Sequence, residues 1–182
     1  SPGYITMDGN IMMDGGGGTS TMPAAGSILI IGNVVNVSGN LNVSSYDGND
    51  DGGGGRVAVH GDIIYIEKTI NNIAAGYGGA GSVYLNSTSN LTTTTNITAT
   101  GYYADGARVN MTSPLLIATG NYNVTAGVTT NGSIEINYTD CTNSLTTGSF
   151  IPVGSLVNNT VCAAAGDTTP PDINFTLMTP AN

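Results

Sequence analysis

Many asparagines of this chain stand two residues before a serine or a threonine, which is the spacing that N-glycosylation requires. The chain contains 21 asparagines, and 11 of them have this spacing. Because 39 of the 182 residues are serine or threonine, composition alone would place one there for only about 4 to 5 asparagines. The sequence therefore predicts N-linked glycans. The candidate acceptors are Asn36, Asn42, Asn86, Asn90, Asn96, Asn110, Asn123, Asn131, Asn137, Asn158 and Asn174.

In eight of the eleven triplets the middle residue is apolar. These residues are Val37, Val43, Leu91, Ile97, Met111, Val124, Tyr138 and Phe175. Successive side chains of a β-strand point to opposite faces, so the middle residue would point inward and the asparagine into solvent. The alternative is that alternating strands with asparagine, serine and threonine on their outer face produce such triplets without any modification. Both interpretations stay open at this point.

The two cysteines, Cys141 and Cys162, are most simply expected to form one disulfide bond in an exported protein. The bond would close a loop of about 20 residues and contribute roughly 3 kcal/mol in the chain-entropy model. A metal site made of two cysteines and the distant His60 is a weaker alternative. We expect the disulfide to hold a C-terminal cap formed by residues 141–166.

The segment 47–52 has the sequence Asp-Gly-Asn-Asp-Asp-Gly and matches the first half of a calcium loop. The glutamate expected six residues later is replaced by Ala58. Two interpretations follow: a solvated acidic turn, or a structural calcium ion held by Asp47, Asn49 and Asp51 together with other ligands. No cofactor is required in either case.

Catalysis of the lyase or glycosidase type needs clustered carboxylates or a basic residue beside them. Arg56 and Arg108 each follow a small residue at the start of a repeated segment. Asp50, Asp51 and Asp105 fall in the turns just before these segments. Salt bridges between corners explain this arrangement equally well, and His60 is most simply an exposed turn residue. We therefore expect that the protein is not an enzyme.

The charge balance excludes some partners. Lysine and arginine total 3 against 12 aspartate and glutamate residues, which gives a net charge of −9. Such a surface is a poor partner for nucleic acid and for anionic lipid. Apolar runs such as residues 28–31 are too short to insert into a membrane.

A small residue followed by a short alternating apolar strand recurs along the chain, and this spacing is typical of stacked repeats. The repeats begin at Gly26, Gly55, Gly81, Ala107 and Gly132, at spacings of 29, 26, 26 and 25 residues. Each repeat contains two or three alternating runs separated by turn residues and no helical period. The sequence predicts an all-β fold, a right-handed parallel β-helix (β-solenoid) of about five rungs over residues 1–140, with an extended C-terminal strand.

Stacking of equivalent positions then predicts three inward columns. The first is Ile28, Val57, Val83, Val109 and Ile134, and the second is Ile30, Val59, Leu85, Met111 and Ile136. The recurring segments that begin at Asn42, Asn72, Asn96 and Asn123 place Val43, Ile73, Ile97 and Val124 in the third. The glycine runs 15–18, 52–55 and 76–81 are expected to form tight corners that need positive φ and close backbone approach.

Both ends of the coil are expected to need a partner. Residues 4–12 align with residues 34–43, so the coil is expected to begin partway through a turn with an uncovered sheet edge. At the other end, residues 167–182 are expected to form a proline-rich linker and a lone strand whose Ile173, Phe175 and Leu177 lie on one side. A lone strand is not stable by itself, so we expect it to pair with a following module or with a neighbouring subunit.

The segments 52–59 (Gly-Gly-Gly-Gly-Arg-Val-Ala-Val) and 79–85 (Gly-Ala-Gly-Ser-Val-Tyr-Leu) resemble glycine-rich β-helix repeats of large archaeal and bacterial cell-surface glycoproteins, which form surface layers or fibrils. The segment Asp-Thr-Thr-Pro-Pro at 167–171 resembles the linker before immunoglobulin-like modules in those proteins. The resemblance implies a secreted or surface-anchored structural protein and carries no active site. The chain departs from it by stopping after one strand of the next module.

We therefore expect an extracellular glycoprotein, its signal peptide already removed, that polymerises end to end into a fibril or surface layer. Its partners would be identical subunits and other surface glycoproteins. One alternative is a carbohydrate-binding or carbohydrate-cleaving β-helix with an acidic groove near Arg56. Another is an adhesin fragment with exposed Tyr84, Tyr102 and Tyr103.

Overall fold

The structure is a computed structural model that describes residues 3–15, 24–45, 52–74, 78–101, 107–127, 130–152 and 155–158. This part of the chain is all β, and every strand pairing in it is parallel. The strands are β1 (Tyr4–Met7), β2 (Ile11–Met12), β3 (Ser27–Ile31), β4 (Val34–Val37), β5 (Leu41–Asn42), β6 (Arg56–Ile66), β7 (Ile70–Ala74), β8 (Ser82–Thr93), β9 (Ile97–Gly101), β10 (Arg108–Thr112), β11 (Leu115–Ala118), β12 (Asn121–Asn123), β13 (Ser133–Asn137), β14 (Ser149–Ile151) and β15 (Leu156–Asn158).

The strands form a β-solenoid with three faces, which confirms the predicted fold class. Face 1 contains β3, the first parts of β6 and β8, β10, β13 and β15. Face 2 contains β1, β4, the second parts of β6 and β8, and β11, and a bridge from Ile117 to Leu145 extends it. Face 3 is the six-stranded sheet of β2, β5, β7, β9, β12 and β14. Five complete turns run from β3 to β14, with β1 and β2 before them and β15 after them.

Two of the three predicted inward columns are confirmed on face 1. Ile28, Val57, Val83, Val109 and Ile134 are partners in successive strands, and so are Ile30, Val59, Leu85, Met111 and Ile136. All ten side chains are buried. β-branched residues stack well on such a pleated surface, and their burial is the main stabilising contribution of this face.

The predicted third column is wrong. The pairing of face 3 places Ile70 beside Leu41 and Ile97, and Tyr122 follows Ile97. Ile73 is only partly buried, whereas its neighbour Asn72 is fully buried. Asparagine fits both a corner and the outer side of a strand, so asparagine positions cannot fix the register, while stacked apolar side chains do. The observed column is Ile11, Leu41, Ile70, Ile97, Tyr122 and Phe150.

The glycines at the start of face 1 allow close backbone approach. A Cβ atom on Gly55 would collide with the carbonyl oxygen of Gly26, and one on Gly81 would collide with that of Gly55. The Asn72 amide lies in the same corner and donates to the carbonyl oxygens of Gly55 (2.9 Å) and Ser82 (3.3 Å). The expected positive φ is not found at Gly53, Gly54, Gly55, Gly79 or Gly81. Close packing between turns therefore explains glycine here.

The coil continues past residue 140, into the segment expected to form a cap. β14 pairs with β12, and β15 pairs with β13, so both strands add a further layer to existing faces. At the other end, Tyr4 pairs with Val34 and Ile11 with Leu41, so β1 and β2 belong to the turn before β3. The expected strand with Ile173, Phe175 and Leu177 lies outside the described residues.

Candidate functional site

The outer surface of the coil carries most of the candidate glycan acceptors. The middle residues Val37, Val43, Leu91, Ile97, Met111 and Val124 are buried, and Tyr138 packs against the core. Asn86, Asn96, Asn131 and Asn158 are exposed. Asn36, Asn90, Asn110, Asn123 and Asn137 are partly buried on the outer side of strands. Asn174 and Phe175 lie outside the described residues. Among the described residues, the geometry therefore presents four exposed acceptor side chains.

Asn42 is different from the other candidates because its side chain is buried, with 8 % exposed. Its Oδ1 accepts a hydrogen bond from the Ser44 hydroxyl at 2.7 Å. Its Nδ2 lies 3.4 Å from the carboxylate of Asp14. A sugar on Nδ2 would break this arrangement, so we expect Asn42 to be unmodified in the folded protein.

Two pairs of corner asparagines form direct side-chain contacts across adjacent turns. Nδ2 of Asn121 donates to Oδ1 of Asn96 at 2.9 Å, and Nδ2 of Asn40 donates to Oδ1 of Asn10 at 3.0 Å. Asn123, in contrast, pairs with Thr98. These amide ladders link consecutive turns at the corner that precedes face 3.

The two arginines occupy the same position on face 1, two layers apart, as the repeats predicted. Arg108 forms a salt bridge of 2.6 Å with Glu135, which also accepts from Asn110. Arg56 lies over the ring of Tyr84, 4.8 Å from its centre. Glu135 and Tyr84 are therefore the partners that the structure shows for the arginines. Asp50, Asp51 and Asp105 lie outside the described residues, as do Tyr102 and Tyr103.

The predicted metal and disulfide sites fall largely outside the described residues. Asp47, Asn49, Asp51 and Cys162 are all outside them, and within the described ranges there is no group of three or more metal-ligating side chains. Cys141 is exposed in a turn that begins at Asp140, and no described cysteine has a free thiol.

Hydrogen bonds from the Asn143 side chain and from the Asn143 and Thr142 backbone lower the pKa of Asp140.

A cleft of about 410 Å³ lies outside the coil at the corner between faces 1 and 2. We call it the corner cleft. Its lining includes Ile31, Asn33, His60, Asp62, Asn86 and Thr88. Ile31, His60 and Asn86 occupy equivalent positions in three successive layers. Thr88 donates a hydrogen bond of 2.6 Å to the Asp62 carboxylate. The corner cleft therefore joins an exposed aliphatic side chain to several polar groups.

An aromatic pair closes the C-terminal end of the face 3 column. The rings of Tyr122 and Phe150 stack with centres 5.3 Å apart. The Tyr122 hydroxyl donates to the Thr93 carbonyl oxygen at 3.0 Å and accepts from the Gly120 amide at 3.3 Å. Burial raises the pKa of Tyr122, and the hydrogen bond from the Gly120 amide, which favours the ionised form, only partly offsets this effect.

We expect Tyr122 to make the protein sensitive to alkali. A tyrosine in the unfolded chain ionises at about pH 10, so a raised pKa in the fold contributes stability that is complete below about pH 10 and is lost above it. Tyr122→Phe should lower the free energy of unfolding by about 1 kcal/mol at pH 7, through lost hydrogen bonds. Its stability should then fall less steeply than that of the wild type above about pH 10. Urea unfolding from neutral to alkaline pH measures both effects, and parallel curves would contradict the prediction.

Comparison with known proteins finds no matching family, curated protein or solved structure. The described part of the chain contains no helix long and apolar enough to cross a membrane.

Proposed function

We propose that this protein is the structural subunit of an extracellular, N-glycosylated fibril or surface layer in which copies stack end to end. The proposal includes a disulfide bond between Cys141 and Cys162 and an added contribution from the strand of residues 173–178. The observation that carries it is the complementary arrangement of the terminal strands in the described part of the coil.

The N-terminal pole consists of β1 on face 2, β2 on face 3 and β3 on face 1. No described strand pairs with the outer edges of these three strands. Because β3 belongs to the turn that follows β1 and β2, face 1 is recessed by one layer at this pole. The C-terminal pole consists of the Leu145 bridge on face 2, β14 on face 3 and β15 on face 1, and β15 projects by one layer.

The projection at one pole fits the recess at the other. If a second copy follows in the same direction, β15 fills the layer above that copy's β3, while β14 meets β2 and the Leu145 segment meets β1. Each face of the described coil then supplies six layers, and these layers continue through the joint without a gap. Backbone hydrogen bonds and stacked side chains would form the joint, as they do inside the subunit.

Apolar side chains at both poles support such a joint. Tyr4 and Met12 are exposed at the N-terminal pole, and Leu145, Ile151 and Val157 are exposed at the C-terminal pole. The inward residues Ile5, Ile11, Phe150 and Leu156 are only partly buried. Stacking of a second copy would bury the inward residues completely. An exposed sheet edge with apolar residues favours association of this kind.

Electron microscopy of the native material tests the proposal. Six layers at about 4.8 Å each predict an axial repeat of about 29 Å per subunit. Intact-mass measurement of the same sample should show glycans, and non-reducing peptide mapping should show the Cys141–Cys162 link. Monomeric particles at high concentration, or filaments with a different subunit repeat, would contradict end-to-end stacking.

Deletion of residues 168–182 tests the contribution of the terminal strand. If residues 173–178 pair with a neighbouring subunit, the shortened chain should be a folded, soluble monomer under conditions in which the full chain polymerises. Sedimentation and circular dichroism report the assembly and the fold. Unchanged polymerisation would exclude strand addition and would leave stacking of the poles as the whole joint.

A further inference from the structure

We propose that the corner cleft is the binding site of the chain's own glycan, and that the first sugars of an N-glycan on Asn86 lie in it. This inference rests on the glycosylation that the proposed function contains. It adds that one glycan is held against the protein surface at a defined place.

The position of Asn86 carries the inference. Asn86 is an exposed glycan acceptor, and it also forms part of the wall of the corner cleft. A sugar attached to its Nδ2 therefore starts at the cleft and needs no long linker to reach it. The cleft volume of about 410 Å³ lies in the range of ordinary ligand sites.

The side chains next to Asn86 suit a neutral sugar. Ile31 is 64 % exposed and lies beside His60 in the next layer, so the two provide an apolar and an aromatic surface for the C–H face of a pyranose ring. Asn33 and Asp62 supply amide and carboxylate groups for hydrogen bonds with hydroxyl groups. The hydrogen bond from Thr88 fixes the Asp62 carboxylate, so this acceptor is already oriented.

Chemical modification of His60 tests the inference. Protein made in a host that attaches N-glycans is treated with diethyl pyrocarbonate, and the rate at His60 is followed by peptide mass spectrometry. A glycan that occupies the cleft for about nine tenths of the time lowers the rate about tenfold. Asn86→Gln should restore the faster rate. Asn96→Gln is the matched control, because Asn96 is an exposed acceptor beside Asn121 at a different corner, and it should leave His60 protected.

The same experiment can overturn the inference. Equal rates at His60 in the wild type and in Asn86→Gln would exclude a glycan in the cleft. An unmodified Asn86 in protein that carries glycans at Asn96 or Asn131 would exclude it as well. Filament formation is scored separately by electron microscopy. Protection of His60 without filaments would contradict only end-to-end stacking, and filaments without protection would contradict only the glycan site.

Discussion

Leu85→Ala is expected to lower the free energy of unfolding by about 2–5 kcal/mol, the usual cost of removing a fully buried leucine. Leu85 has no exposed surface and lies between Val59 and Met111 in the second column of face 1. The layers above and below are fixed by the strand ladder, so they cannot move together to fill the cavity. Urea unfolding followed by circular dichroism measures the change.

Leu29→Ala is the matched control for this prediction. Leu29 lies on the same face, so the same leucine-to-alanine substitution can be made there. Its side chain, however, points outward and is 63 % exposed. Its loss should change the free energy of unfolding by less than about 0.5 kcal/mol. Equal effects of the two substitutions would mean that the inner column is not the stabilising core.

The columns of face 1 could be predicted from the sequence because their pattern has two independent constraints. A small residue marks the start of each strand, and apolar residues alternate behind it, so Gly55 and Gly81 lead directly to Val57 and Val83. Face 3 has shorter strands, and asparagine occurs both at its corners and on its outer side. The recurring segments align Asn42 with Asn72, but the backbone pairing of the structure shows that the partner of Asn42 is Asn71.

The surface features were harder to predict for a different reason. The corner cleft brings together Ile31, His60 and Asn86 from three turns, and each is unremarkable in its own segment. Their proximity depends on the register between turns. The complementary poles likewise depend on which face each terminal strand joins, as β15 shows by pairing with β13 on face 1.

Ile11→Lys is expected to block end-to-end assembly while the subunit still folds. Ile11 is the outermost inward residue of the face 3 column at the N-terminal pole, and it is partly buried against the core. In the proposed joint its side chain meets β14 of the preceding copy, where Phe150 ends the same column. A lysine there places an unpaired ammonium group in an apolar contact, which costs several kcal/mol, and each 1.4 kcal/mol is about tenfold in an equilibrium. The critical concentration for assembly should therefore rise at least about tenfold, as measured by sedimentation.

Met12→Lys adds the same charge one residue later on the same strand. Met12 is 63 % exposed and pairs with Asn42 in the outward-facing position next to Ile11. Its lysine can stay in water, so the critical concentration should change by no more than about twofold. The two variants therefore differ only in whether the charge enters the column or stays outside it. If both block assembly equally, net charge controls it; if neither does, the N-terminal pole is not part of the joint. Only a selective effect of Ile11→Lys supports a continuous column through the joint.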